Sequence, residues 1–233
     1  MKKILILGII IISIFIIYLT TIDKKVYFVS LGDEISLGQT KEGYYEKNHN
    51  DIIKEYLEQK NKLEIYINNY VTQGYRITDI INDINKNKEI EEINKTIKNS
   101  LIKADLITIT IGTNDISALI DKEKKLTQID YKRIYKNIDE IINDLETLLK
   151  LIREYCKEDI ILIGININTK DKKINEIIKY ANEKFKETSE KYKIIYIDNL
   201  EETEEQKTYP TKEEYIELGN RIIEELNNNL LKK

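Results

Sequence analysis

Apolar positions along the chain switch between two periods. Short, nearly continuous apolar runs recur at 26–31 (VYFVSL), 63–71 (LEIYINNYV), 106–111 (LITITI), 160–165 and 194–197. Their length and β-branched content predict five strands, and LITITI has the near-complete hydrophobicity of a central parallel strand buried on both faces. Between these runs the apolar residues step by three and four. Ile52, Ile53, Tyr56 and Leu57 do so within 48–59, and 77–84 and 90–102 read as helices in the same way. The clearest helix is 131–155, where Ile134, Ile138, Ile141, Leu145, Leu148, Leu149 and Ile152 line one face. Further helices are predicted over 174–192 and 211–231. Strands alternating with helices imply a parallel sheet covered on both sides. The expected fold is one doubly wound α/β domain in three layers, without a linker or internal repeat.

The first residues follow a different pattern. After Met1-Lys2-Lys3 an apolar or weakly polar run extends from 4 to 22 without a polar face. That is close to the ~20 residues a membrane-spanning helix needs, and longer than the ~7–15 of a signal-peptide core. No small-residue cleavage pattern precedes Asp23, and no cysteine for lipid attachment lies nearby. An uncleaved N-terminal transmembrane anchor over 1–23 is therefore expected, followed by a domain over 24–233. Lys2 and Lys3 on one side, against Lys24 and Lys25 on the other, bias the amino terminus weakly to the inside. The domain is expected to be extracytoplasmic.

Composition narrows the chemistry. The chain is 41% hydrophobic and 33% charged, which suits a packed globular domain. A net charge of −4 gives no basic footprint for nucleic acid. The single cysteine, Cys156, excludes an internal disulfide framework and a multi-cysteine metal site. The single histidine, His49, removes most routes to a general base near neutral pH. It reads as a surface or helix-start residue.

In so glycine-poor a chain, with eight glycines and one proline, each glycine points to a backbone requirement. Gly32, Gly74, Gly112 and Gly164 fall at or just after predicted strands. Carboxyl ends of parallel strands are where ligands bind in open α/β sheets. Four blocks gather there: LGDEISLGQ, QGYRITDI, ITIGTNDI and YPTKEEYIELGNRI. In order and setting they resemble the blocks of the SGNH/GDSL hydrolase (lipase/esterase) family, over essentially the whole chain from about residue 26. TIGTND is the most specific piece. The resemblance implies a flavodoxin-like strand arrangement and ester hydrolysis by a Ser-Asp-His triad with no cofactor or metal.

Residue by residue, the resemblance is divided. It assigns Gly74 and Asn114 to the oxyanion-binding donors and Asp33 to the aspartate beside the nucleophile. The nucleophile position holds Glu34. The histidine position before Pro210 holds Tyr209, and the aspartate position three residues earlier holds Gln206. A hydroxyl nucleophile without its base is inert, so this pattern is that of a divergent member lacking the triad. Tyr209, with an ordinary pKa near 10, is a reluctant base. Ser30 and Ser36 lie near the corner, but Ser36 falls inside the first helical turn and its hydroxyl should point elsewhere. Asp33, Glu34 and Asp115 offer hard oxygen ligands, yet Asp33 and Asp115 are expected to bond backbone N–H groups of their own loops. Glu34 is long enough to reach the Gly74 N–H and the Asn114 amide itself, with Tyr209 as a further donor.

The function expected is that of a membrane-anchored, extracytoplasmic SGNH/GDSL hydrolase-like pseudoenzyme that binds or scaffolds at the cell envelope. The alternatives are an active esterase, deacetylase or acyltransferase on envelope glycans or lipids with an atypical site, and a purely structural interaction domain. An open cleft lined by Tyr44, Tyr45, Tyr75, Arg76 and Asn166 would suit a sugar, because a tyrosine offers an apolar face and a polar tip. The expected partners are the membrane, through residues 4–22, and an envelope glycan or lipid, with no nucleic acid.

Overall fold

The computed structural model describes residues 24–124, 130–200 and 208–229. The N-terminal run at 4–22 and Gln206 lie outside the described residues. Among the described residues no helix is long and apolar enough to cross a membrane.

The chain alternates as its periodicity requires. It runs β1 (Val26–Gly32), a single-turn α1 (Glu34–Leu37), α2 (His49–Gln59), β2 (Leu63–Val71) and α3 (Ile77–Asn85). A small excursion follows, with β3 (Glu89–Ile90), a 3-10 turn (Glu91–Ile93) and β4 (Lys95–Thr96). Next come α4 (Ile97–Lys103), β5 (Leu106–Thr110), α5 (Thr113–Lys124) and α6 (Tyr131–Tyr155). The chain then forms β6 (Asp159–Ile163), α7 (Lys172–Lys191), β7 (Ile195–Ile197) and α8 (Lys212–Asn229). The main sheet has the order β2-β1-β5-β6-β7 with every pairing parallel. Counting its strands one to five, that is 2-1-3-4-5, the doubly wound flavodoxin-like order.

Alternation along the strands sends side chains to two cores. Val29, Leu31, Ile107, Ile109, Ile160 and Leu162 join the larger one, beneath α3, α5, α6 and α7. Phe28, Leu106, Ile161 and Ile163 pack under α2 and α8, against Ile53, Leu57, Leu218 and Ile222. Helix α6 buries seven apolar positions, from Ile134 to Ile152. At roughly 1.5–3 kcal/mol for each large aliphatic side chain removed from water, α6 is the main clamp on its face.

Two segments depart from the sequence pattern. Residues 90–102 read as one helix, but the first part is a two-residue hairpin and only Ile97–Lys103 is helical. Asn94 takes a left-handed conformation (φ 49°), which ends the turn before it, and the Thr96 side chain caps the new helix by accepting from the Asn99 N–H. The apolar spacing across 90–102 was therefore produced by two elements folded against the same core. Helix α5 was not anticipated. Its apolar positions Ile116, Leu119 and Ile120 have helical spacing and are buried.

Candidate functional site

The corner after β1 is shaped by backbone needs. Gly32 has φ 150°, and a Cβ there would run into the Thr110 carbonyl of the adjacent strand. Asp33 follows as the cap of α1, with its Oδ1 accepting the Ile35 N–H at 3.1 Å. Glu34 is thereby placed on the first turn, at the carboxyl edge of the sheet. Gly38, with φ 87°, closes that turn. Behind the corner, Asn50 of α2 ties β1 to β5: its Nδ2 donates to Ser30 Oγ at 3.0 Å, and Thr108 Oγ1 donates to its Oδ1 at 2.7 Å. Sequence reasoning missed this brace. Ser36 is also buried, with its hydroxyl paired to Thr110 Oγ1. Neither serine of the corner presents a free nucleophile.

Two loops and the start of α5 converge on Glu34. Beyond β2, Gly74 has φ 77°, and its N–H donates to Glu34 Oε2 at 2.8 Å. On α5, Asn114 Nδ2 donates to the same oxygen at 3.1 Å and to the Tyr75 carbonyl at 3.0 Å. Before α8, the Tyr209 hydroxyl donates to Glu34 Oε1 at 3.2 Å. Glu34 is only 3% exposed, so these bonds replace its water. Two donors aimed at one point suit a localised negative charge, and here the chain's own carboxylate supplies it.

Electrostatics bear on what else the cluster can do. Asp33 is fully buried, and burial followed by the neighbouring charge of Glu34 holds its carboxyl well above the usual range. Its Oδ2 has no partner. Burial and then the charge of Glu34 push the Tyr209 hydroxyl up to about 12. At neutral pH Tyr209 is thus a donor and not a base. Burial raises Asp115 to about 6, opposed by the Ile77 N–H that donates to its Oδ2 at 3.3 Å. Asp33 accepts from the backbone of its own corner, at Ile35, as expected, whereas Asp115 accepts not from its own loop but from Ile77 at the start of α3. Among the described residues no group of three or more His, Cys, Asp or Glu side chains is placed to hold a metal ion.

His49 is at a helix start, as its sequence position suggests, but it is not a surface residue. It is fully buried, stacked on Tyr215 with ring centroids 6.2 Å apart, and neither ring nitrogen has a partner. Burial drops its pKa to about 3. The expected cleft is also dispersed. Tyr75 turns to Asp83 and Lys88, donating to Asp83 at 2.9 Å and accepting from Lys88 at 2.9 Å. Arg76 immediately precedes α3, and Asn166 is buried. Tyr44 and Tyr45 are exposed.

The family model for GDSL-like lipases/acylhydrolases matches residues 28–222. The chain belongs to the GDSL-like lipase/acylhydrolase family. Solved structures share the fold at low identity. A lipase, Lip_vut3, from a goat rumen metagenome superposes with a TM-score of 0.68 at 19% identity, covering 84% of this chain and 95% of that one. Axe2, an acetylxylan esterase from Geobacillus stearothermophilus, does so with a TM-score of 0.62 at 16% identity, covering 88% and 95%. Catalytic mutants of Axe2 replace a serine, an aspartate or a histidine by alanine. No curated protein matches the chain.

Proposed function

We propose that this GDSL-family domain does not hydrolyse esters and acts by binding, at the cell envelope, with residues 4–22 as its membrane anchor and the α/β domain outside the cell. The supporting observation is the Glu34 carboxylate seated on the Gly74 N–H and the Asn114 amide. In an acyl-transfer enzyme such donors must be free to receive charge as it develops in the transition state. A resident carboxylate competes with that use. Three hydrogen bonds, two on Oε2 and one on Oε1, draw on its lone pairs and weaken it as a nucleophile. The neighbouring phenol, held near 12, takes no proton at neutral pH. The alternative of an active esterase would need a base other than histidine, since the single histidine, His49, is fully buried with neither ring nitrogen partnered.

The test is turnover of p-nitrophenyl acetate by the full chain, by Glu34→Ala, and by the combined Glu34→Ser, Gln206→Asp, Tyr209→His variant. The expected outcome is no hydrolysis by the first two and measurable hydrolysis by the third. Turnover by the unmodified chain that Glu34→Ala abolishes would overturn the reading. Protease treatment of intact cells tests the location: the domain is expected to be digested, and protection would argue for the opposite orientation.

A further inference from the structure

All strands of the main sheet run parallel, so the residues just before each strand share one edge, opposite the Glu34 cluster. At ~4.8 Å between neighbouring strands, that edge is about 20 Å wide. The three residues preceding each strand of this sheet carry seven lysines against three acids, Asp23, Asp105 and Glu158. Asp159, the first residue of β6, adds one acid more and leaves the edge basic. The whole chain has a net charge of −4, so this edge reverses its balance.

We propose that this basic edge is a docking surface for anionic phospholipid headgroups and seats the domain on the bilayer. The inference rests on the membrane-anchor reading above and adds a lipid chemistry and an orientation to it. Every strand contributes: Lys25 precedes β1, Lys60 and Lys62 precede β2, and Lys103, Lys157 and Lys193 precede β5, β6 and β7. Lys62 is half-buried and the others are exposed. Ile102, 59% exposed beside Lys103, adds an apolar side chain to the same edge. Lysine charge with a neighbouring apolar group suits a layer of anionic headgroups over hydrocarbon.

Part of the pattern has a local cause. Helix carboxyl ends favour cations, and Lys157 Nζ donates to the Arg153 carbonyl at the end of α6 at 2.8 Å. Lys24 is paired with Asp105, which also accepts the Tyr27 N–H at 2.9 Å. Among the described residues the ammonium groups of Lys25, Lys62, Lys103 and Lys193 make neither an ion pair nor a hydrogen bond. Their charge is left for a partner outside the chain. The loops that carry them are held in place as well. Arg153 donates to the carbonyls of Glu158 at 2.6 Å, Tyr192 at 3.0 Å and Lys193 at 2.7 Å, which ties the loops before β6 and β7 together. Charges on fixed loops meet a surface with little loss to ordering of the protein.

Chain length favours lipid over a soluble polyanion. Ile22 ends the apolar run and Val26 starts β1. Those four residue steps reach at most ~14 Å. A headgroup layer of ~5–8 Å and a Debye length of ~8–10 Å together span the same distance. The basic edge therefore cannot leave the field of an anionic bilayer that residues 4–22 cross. A polyanion in solution has no such enforced proximity. The length of β1 then sets the Glu34 cluster roughly 20 Å further out, facing away from the membrane.

The experiment is lysine acetylation, read site by site by mass spectrometry, on the full chain in lipid nanodiscs. The discs contain phosphatidylcholine alone or with about 30 mol% phosphatidylglycerol, enough to give a negative surface potential. Lys60, Lys62, Lys103 and Lys193 are expected to react about threefold or more slowly on the anionic discs at about 0.1 M salt, and equally on both at about 0.5 M, where the field is screened. Lys41 and Lys170, exposed on loops at the opposite edge, should react alike throughout. Lys62→Glu combined with Lys103→Glu should abolish the slowing at Lys60 and Lys193. The salt series on the unmodified chain tests the proposal even if that variant does not fold. Equal edge rates on both lipids at low salt, or slowing at Lys41 and Lys170 in place of the edge lysines, would overturn it. Retention in the discs at high salt without edge protection at low salt would leave the anchor standing and remove the docking surface. Release at high salt, with edge protection at low salt, would do the reverse.

Discussion

The side chain of Glu34 crosses the carboxyl edge of the sheet, and its Oε2 accepts the backbone N–H of Gly74 at 2.8 Å. The same oxygen takes the Asn114 amide, and the other takes Tyr209. This contact closes the corner on itself. It joins segments forty and eighty residues apart in the chain through one buried carboxylate.

Removing that carboxylate leaves its donors empty. Glu34→Ala should destabilise the domain by ~1–3 kcal/mol, because buried donors lose a charged acceptor. Added acetate should then bind the vacated donors and raise the melting temperature of Glu34→Ala with concentration, by mass action. The unmodified chain should show no such acetate dependence. Thermal melts across an acetate series at constant ionic strength and pH check both expectations.

Asn114→Asp places a second carboxylate against Glu34 Oε2. Two carboxylates at hydrogen-bond distance cannot both ionise without a large penalty, so the folded variant retains a proton that the unfolded chain releases. Its stability should therefore fall as pH rises from 5 to 8, relative to the unmodified chain. Denaturant titrations at the two pH values measure the difference. An unchanged gap between the proteins would contradict the contact.

The corner glycines should respond unequally to a methyl group. Gly74→Ala meets nothing within 4 Å and bears only the cost of φ 77°, ~1–2 kcal/mol. Gly32→Ala combines an unfavourable φ with a clash against the Thr110 carbonyl, which a strand cannot move aside. It should cost several times more, roughly 2–6 kcal/mol. Chemical denaturation of the two variants gives the ratio.

His49 should make the domain acid-sensitive. In the unfolded chain it titrates near 6.5, whereas folded burial holds it to about 3. Between those values the unfolded state binds the extra proton, so stability falls as pH falls through that window, by up to ~1.4 kcal/mol per pH unit. Asp115, raised to about 6, and Asp33, also raised, act with the opposite sign, since the folded state holds their protons longer and stability falls as pH rises. His49→Phe removes one side of this opposition. The variant should gain on the unmodified chain progressively from pH 6.5 down to 4, read from denaturation midpoints at each pH.

Much of the architecture was legible in the residues. Strand β2 and helix α6 lie where their periodicities set them, because each buries a face long enough to outweigh local preference. The segment 90–102 was misread for the same reason in reverse. A short hairpin and a short helix facing one core produce the same apolar spacing as a longer helix, and only the left-handed Asn94 separates them. Helix α5 was missed although Ile116, Leu119 and Ile120 carry its signal.

By itself the sequence determined the alternation of strands and helices and a parallel sheet covered on both faces, which follow from period and from turn glycines at strand ends. The strand order came only as what the resemblance of its motif blocks implied, and the sheet order β2-β1-β5-β6-β7 agrees with it. Tertiary structure alone decided where the Glu34 side chain goes, because three rotatable bonds separate its carboxylate from the backbone and its partners, Gly74, Asn114 and Tyr209, come from three distant segments. It also decided that His49 is a buried, uncharged ring, since exposure depends on which helix packs over it. Tyr215 of α8, far along the chain, supplies that cover.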